Sequence, residues 1–137
     1  MRFLKDKNGT YITTFISGPQ HNILGVCFDD CDLNETKVLE LPVKEGAKKY
    51  TSKEQVLGQV LAGLKEVNES QNTSYKLSKI YFLPSDRPTY SIYRLLICKV
   101  VRRYHAKKEF ETIAKEFETI AVNEEWSNLS LFLITLI

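Results

Sequence analysis

The residues that could do chemistry are few, and their spacing decides what each can be. Cys27 and Cys31, with His21 upstream, have the outline of a zinc half-site. A closed structural site takes four ligands, and the remaining candidates, Cys98 and His105, stand at no standard spacing. Cys98 and His105 also fail as nucleophile and base, because a seven-residue helical separation puts their Cα atoms about 10 Å apart along the axis, beyond the ~3 Å that such a pair requires. Asp29, Asp30 and Asp32 resemble calcium or magnesium ligands, but their loop lacks the glycine and the closing bidentate Glu of an EF-hand and reads as a solvated acidic loop. No glycine-rich phosphate loop and no Ser/His/Asp set is present. The expectation is a protein without catalytic residues, metal or cofactor, one that acts by binding.

The balance of charge narrows what it binds. The chain of 137 residues is 43% hydrophobic and 26% charged, ordinary statistics for one globular domain spanning 1–137. Its 19 basic and 17 acidic residues leave a net charge of +2, too close to balance for nucleic-acid binding through bulk field alone. Three cysteines, an odd count without a dense framework, point to free thiols in a reducing compartment, and the cytoplasm is the expected location. The N-terminus has no apolar core of signal-peptide length, and no run approaches the ~18 apolar residues of a membrane span. Asn-x-Ser/Thr matches at Asn8, Asn34, Asn68, Asn72 and Asn128 read as polar turns.

The elements that must position these groups follow from periodicity. Asn8-Gly9, between Phe3-Leu4-Lys5 and the β-rich run 10–16, marks a hairpin turn. Ile23 to Phe28 reads as a third strand, and Val38 to Val43 as a fourth in which Pro42 argues for an end or an edge. Thr51-Ser52-Lys53-Glu54 matches a capping box, and the stripe Val56, Leu57, Val60, Leu61, Leu64, Val67 then predicts a helix of about four turns. Leu77 to Leu83 returns as a strand. Pro84 and Pro88 hold Leu83 and Arg87 extended, Ser85 or Asp86 can accept from free amides of the next helix, and Tyr93, Leu96, Ile97, Val100, Val101 and Tyr104 form its buried stripe. The fold class is α+β: a small single domain with a mostly antiparallel sheet, N-terminal hairpin strands and two to three helices packed on it.

From Lys108 the sequence repeats without change, Lys108 to Ala114 being followed by the identical Lys115 to Ala121. Phe110, Ile113, Phe117 and Ile120 then share one face at heptad spacing, so 108–121 is expected to be helical, docked on its own domain or on a copy of itself. The apolar segment 129–137 is expected to be a last strand or a buried tail.

The run Lys79 to Ile97, an apolar strand, a Ser85-Asp86-x-Pro88 turn and a helix carrying Tyr93 that continues into Arg102-Arg103-Tyr104-His105, resembles the immunity proteins of bacterial contact-dependent growth inhibition systems. The similarity covers mainly residues 51–105. It implies a small cytoplasmic α+β protein that binds a cognate toxin C-terminal domain, often a nuclease, and blocks its active site or substrate surface. It implies a structural role for Ser85, Asp86, Pro88 and Tyr93, and carries over no toxin-contacting residue.

Two surfaces could serve. Between Cys27 and Leu41 five acids, among them Asp29, Asp30, Asp32 and Glu35, face the single cation Lys37. Such a loop can mimic phosphates to a basic groove and is the expected toxin contact. The alternative is a small nucleic-acid-binding or regulatory protein using the basic helix 90–108, with Arg94, Lys99, Arg102, Arg103, Lys107 and Lys108 near Tyr90, Tyr93 and Tyr104. The cysteine reading yields a first test: thiol titration of the denatured, unreduced protein should count three, and a Cys27–Cys31 disulfide or stoichiometric zinc overturns it.

Overall fold

The computed structural model describes residues 1–17, 20–29, 35–43 and 45–113. They form a mixed sheet of six strands with two α-helices on one face. The strands are β1 (Arg2–Lys5), β2 (Tyr11–Ser17), β3 (Gln20–Phe28), β4 (Lys37–Glu40), β5 (Leu77–Phe82) and β6 (Glu111–Thr112), and the helices are α1 (Lys53–Gln71) and α2 (Ile92–His105). The sheet order is β4-β5-β3-β2-β1-β6. The pairs β1–β2, β2–β3 and β3–β5 are antiparallel, whereas β4–β5 and β1–β6 are parallel. The α+β expectation holds: four strands precede the first helix, and β4-α1-β5 is the expected crossover. Pro42 lies beyond the end of β4, which is an edge strand.

The pleat divides the apolar residues between two faces. On the helix side, Leu24 and Val26 of β3 and Ile80 and Phe82 of β5 meet Val56, Val60, Leu64 and Val67 of α1. The same cluster takes in Ile92, Tyr93, Leu96, Ile97, Val100 and Val101 of α2. The alternate residues Leu4, Ile12, Ile23 and Tyr81 form a second cluster with Leu41, Leu83 and Ile113. With both faces buried, β3 and β5 read as nearly continuous apolar runs, as central strands do. Each large side chain so buried stabilises the fold by about 1.5–3 kcal/mol.

Three local expectations are corrected. The β1–β2 connection is longer than a two-residue turn: only Gly9 takes a positive φ, +82°, and the buried Asp6 carboxylate organises the loop by accepting from the amides of Asn8 (2.9 Å) and Thr10 (2.8 Å). The cap of α1 is Ser52, whose Oγ accepts from the Gln55 amide at 3.2 Å, because the Thr51 hydroxyl is engaged elsewhere. Most importantly, the first copy of the heptad is not helical. Glu111–Thr112 pairs with β1 at Leu4 and Lys5, and Phe110 packs edge-on to Phe3 and Tyr11. The aromatic and β-strand partners available at the β1 edge outweigh a local helical pattern of only two repeats. The rest of 108–121, from residue 114, and the segment 129–137 lie outside the described residues.

The helices run side by side in the same direction. Gln59 Oε1 accepts from the Tyr93 amide at 3.2 Å, and the Cys98 thiol donates to the Gly63 carbonyl at 3.2 Å. Gly63 sets their separation, since a Cβ there would sit 2.5 Å from Ile97 Cγ2 and 2.6 Å from the Arg94 carbonyl oxygen. Arg94 and Glu66 close the solvent side of the seam with a two-pronged ion pair, and that bond holds the Glu66 carboxyl below its ordinary value. Gly58, one and a half turns earlier, faces open space. Gly63→Ala should therefore destabilise by about 1–3 kcal/mol, while Gly58→Ala should stabilise by up to about 1 kcal/mol. Urea melts of the two variants measure the contrast, and equal effects would show that the seam does not depend on this close approach.

Candidate binding surfaces

The β5–α2 turn is bonded to the start of β3 and to the approach to α1. The Leu83 carbonyl accepts from the Asp86 amide at 3.0 Å, and the Pro84 carbonyl from the amides of Tyr50 (2.8 Å) and Thr51 (3.2 Å). The Asp86 carbonyl accepts from the Thr51 hydroxyl at 2.7 Å, and the Arg87 carbonyl from Asn22 Nδ2 at 2.8 Å. Asp86 Oδ2 in turn accepts from the Ile23 amide at 3.1 Å. The turn thereby ties the start of β3, the approach to α1 and the approach to α2 into one unit. Asp86 does not cap α2, as its position suggested. Its carboxylate reaches across the sheet instead, and Gln59 serves the α2 amide.

Behind the turn lies a polar pocket in an apolar surround. Asn22, Thr51 and Asp86 are buried, and Tyr93 is fully so. Burial pushes the Asp86 carboxyl up to about 7, with the Ile23 amide opposing. Burial, and then the charge of Asp86, pushes the Tyr93 phenol up to about 12. The Tyr93 hydroxyl faces Asn22 and Thr51 without a hydrogen bond of good geometry to either. Desolvation of this pocket thus works against the charged form of the Asp86 carboxyl.

Between Asp86 and α2, Tyr90 (φ 50°, ψ 49°) and Ser91 (φ 54°, ψ 41°) both adopt the left-handed conformation. Two successive non-glycine residues there cost about 1–2 kcal/mol each. Tyr90 nevertheless projects into solvent, 96% exposed, the most exposed of the large apolar side chains described. The same end of the molecule carries Tyr50, with Arg87 over its ring at 4.4 Å and Lys48 at 5.3 Å.

Of the residues expected to bind, the structure describes Asp29, Glu35 and the cations of the basic helix. Asp29 is half-buried, its amide donating to the Lys76 carbonyl at 2.8 Å, and Glu35 is exposed; Asp30 and Asp32 lie outside the described residues. On the basic helix Arg94 is paired with Glu66, and Arg103 donates to the Glu109 carbonyl at 2.8 Å with its guanidinium 4.6 Å from the Phe3 ring. Lys99 and Arg102 are exposed. Tyr93 is interior and Tyr90 stands at the N-terminal end of α2, whereas Tyr104 lines one groove with Lys107 and Lys108 at the C-terminal end. At the far end of α2, a groove of about 690 Å³ gathers aromatic and basic side chains from β1, β2, α2 and the β6 approach. Tyr104, Lys107 and Lys108 belong to the basic stretch 90–108 that the sequence marks, while Lys5, Tyr11 and Tyr75 come from distant segments that it does not.

Cys27 contacts Thr10 Oγ1 at 3.3 Å, and Cys98 is buried in the helix seam, where desolvation pushes its thiol up. Among the described residues no three His, Cys, Asp or Glu side chains converge as metal ligands, and no helix is long and apolar enough to cross a membrane. Comparison with protein-family models, with curated proteins and with solved structures finds no match.

The Asp86 carboxyl has a signed pH dependence. A carboxyl raised from 3.8 to about 7 in the folded state contributes stability that is present below pH ~4 and lost as pH rises through 7. Asp86→Asn keeps an acceptor for the Ile23 amide and removes the titration. The native protein should therefore lose up to about 4 kcal/mol relative to this variant between pH 4 and 7.5. Urea melts across that range should show the two curves diverging, and parallel curves would place the carboxyl in a wetter setting.

Proposed function

We propose that this chain is a toxin-neutralising binding protein of the growth-inhibition immunity kind, and that it meets its partner through the end of the fold that carries Tyr90. The carrying observation is the pairing of strain with exposure. A tyrosine held left-handed, fully solvated and backed by a turn bonded to β3 and to the approach to α1 is held out for something other than the stability of its own fold. A large ring presented on a rigid turn binds with little ordering cost, and Tyr and Arg are the side chains that dominate interface energetics. Arg87 and Tyr50 stand on the same turn network to complete such an anchor. The resemblance of residues 51–105 to immunity proteins supplies the class of partner, and the Ser85-Asp86-x-Pro88 turn at its centre is the structure that holds Tyr90 in place.

This places the contact at the opposite end of β5 from the acidic loop, because Asp29 is bonded beside the start of that strand and Tyr90 follows its end. The two surfaces are separable by mutation. The partner would be the toxin domain encoded beside this chain, and co-expression of the two should restore growth. Tyr90→Gly relieves the backbone strain, so it should raise the melting temperature while weakening toxin affinity roughly 30-fold or more, the loss of a central aromatic anchor. Replacing Asp29, Asp30 and Asp32 together by Asn should leave affinity within a few-fold. Large loss from the triple variant and none from Tyr90→Gly would move the interface to the acidic loop. Failure of the native chain to protect would refute the immunity reading itself.

A further inference from the structure

The groove at the C-terminal end of α2 stands apart from the Tyr90 surface and has a consistent chemistry. One wall is aromatic: Tyr11 packs edge-on to Tyr104 (5.1 Å) and to Phe110 (4.8 Å), and Tyr75 packs edge-on to Tyr104 (5.4 Å). Tyr104 is itself stacked on Phe28 at 4.1 Å, which fixes its ring plane. The rim is cationic. Lys5 at the end of β1 reaches over the Tyr11 ring at 5.3 Å, while Lys107 and Lys108 follow α2. His105 is bonded through Nδ1 to the Tyr75 hydroxyl at 2.9 Å, which aims the imidazole along the same wall. Among the described residues lining the groove, none is acidic.

A Lys at a helix C-terminus complements the helix dipole, which is reason enough for one cation there. It does not account for Lys5, which arrives from a different element, nor for the backbone at Lys107. That residue ends α2 with φ 56°, the left-handed position that glycine or asparagine ordinarily fills. Its amide donates to the Tyr104 carbonyl at 3.1 Å and that of Lys108 to the Arg103 carbonyl at 3.2 Å, so the turn is closed and both lysines are set beside the aromatic wall. Three lysines from two elements around one concavity form a field that opposes folding by self-repulsion and is relieved by an anion.

We propose that this groove binds a nucleotide phosphate, the base lying against the tyrosine wall and the phosphate among Lys5, Lys107 and Lys108. Its volume falls within the ~300–1,000 Å³ of small-ligand sites. Lysine is a point charge suited to phosphate, whereas no arginine fork lines the groove to select a carboxylate. Base stacking on aromatic rings tolerates any base, so the site selects the class and not the letter.

The test is calorimetric titration of the full chain at 50 mM salt with ATP, tripolyphosphate and an oligouridine pentamer, with amide shifts mapping the site. ATP should bind saturably, about tenfold more tightly than tripolyphosphate, with shifts centred on Lys107, Lys108 and Thr112. A pentamer that binds more tightly than ATP at the same amides would identify a strand of nucleic acid as the source of the nucleotide, and one that binds more weakly a free nucleotide. Lys107→Glu with Lys108→Glu should weaken ATP at least tenfold, whereas Lys48→Glu with Lys49→Glu, the same change of charge at the other end of the fold, should not. The proposal is overturned by the absence of saturable binding, by equal affinity for ATP and tripolyphosphate, by equal effects of the two double variants, or by shifts centred elsewhere.

Discussion

The fold depends on the closure of one turn. Between β5 and α2 the chain must reverse, pass two prolines and deliver a helix onto the sheet, and its carbonyls there cannot be satisfied by either element. They are satisfied by Tyr50, Thr51 and Asn22, groups that belong to the entry of α1 and to β3. Because an unmet buried carbonyl or amide costs about 1–3 kcal/mol, the three approaches are coupled: none can shift without orphaning a group in another. The parallel course of the helices and the close contact at Gly63 follow from that, since both helices start from the same bonded knot.

The knot also explains why the interior tolerates poor electrostatics. A carboxyl that resists ionisation and a tyrosine hydroxyl without a partner are both unfavourable. They persist because Asp86 is the group that reaches the Ile23 amide, and an apolar side chain there would leave that amide bare. The strain at Tyr90 and Ser91 is held by the same surroundings. Local misfits gather where the connectivity is tightest, as expected when one loop must meet several elements at once.

Much of the architecture was legible in the sequence because it rests on short-range signals. Alternation and apolar runs placed β2, β3 and β5, the stripe from Val56 to Val67 placed α1, and Tyr93, Leu96, Ile97, Val100 and Val101 are buried as their spacing implied. What failed was decided by partners distant in sequence. Thr51 read as a cap because a hydroxyl before an apolar stripe usually is one, yet its partner is the Asp86 carbonyl. Glu111 and Thr112 sit in a perfect helical repeat and form a strand because the edge of β1 was vacant. The binding surfaces were least legible. Tyr90 is set apart by its backbone angles, which composition does not encode, and the groove joins the basic stretch at Tyr104, Lys107 and Lys108 to Lys5 and Tyr75 from distant segments.

The pairing of β6 with β1 joins Leu4 to Glu111 and Lys5 to Thr112, and the Arg2–Glu111 ion pair beside it spans 109 positions. During synthesis the β1–β2–β3 meander can form early, but the outer edge of β1 stays open until nearly the whole described chain has left the ribosome. An open edge is a template for another nascent copy, and long-range closure is slow. The strand that finally covers it is only two residues long, polar and exposed, a poor template in its turn. The sheet thus exchanges an early, adhesive border for a late, inert one, and the interval between the two is when a crowded cell would lose this protein to aggregation.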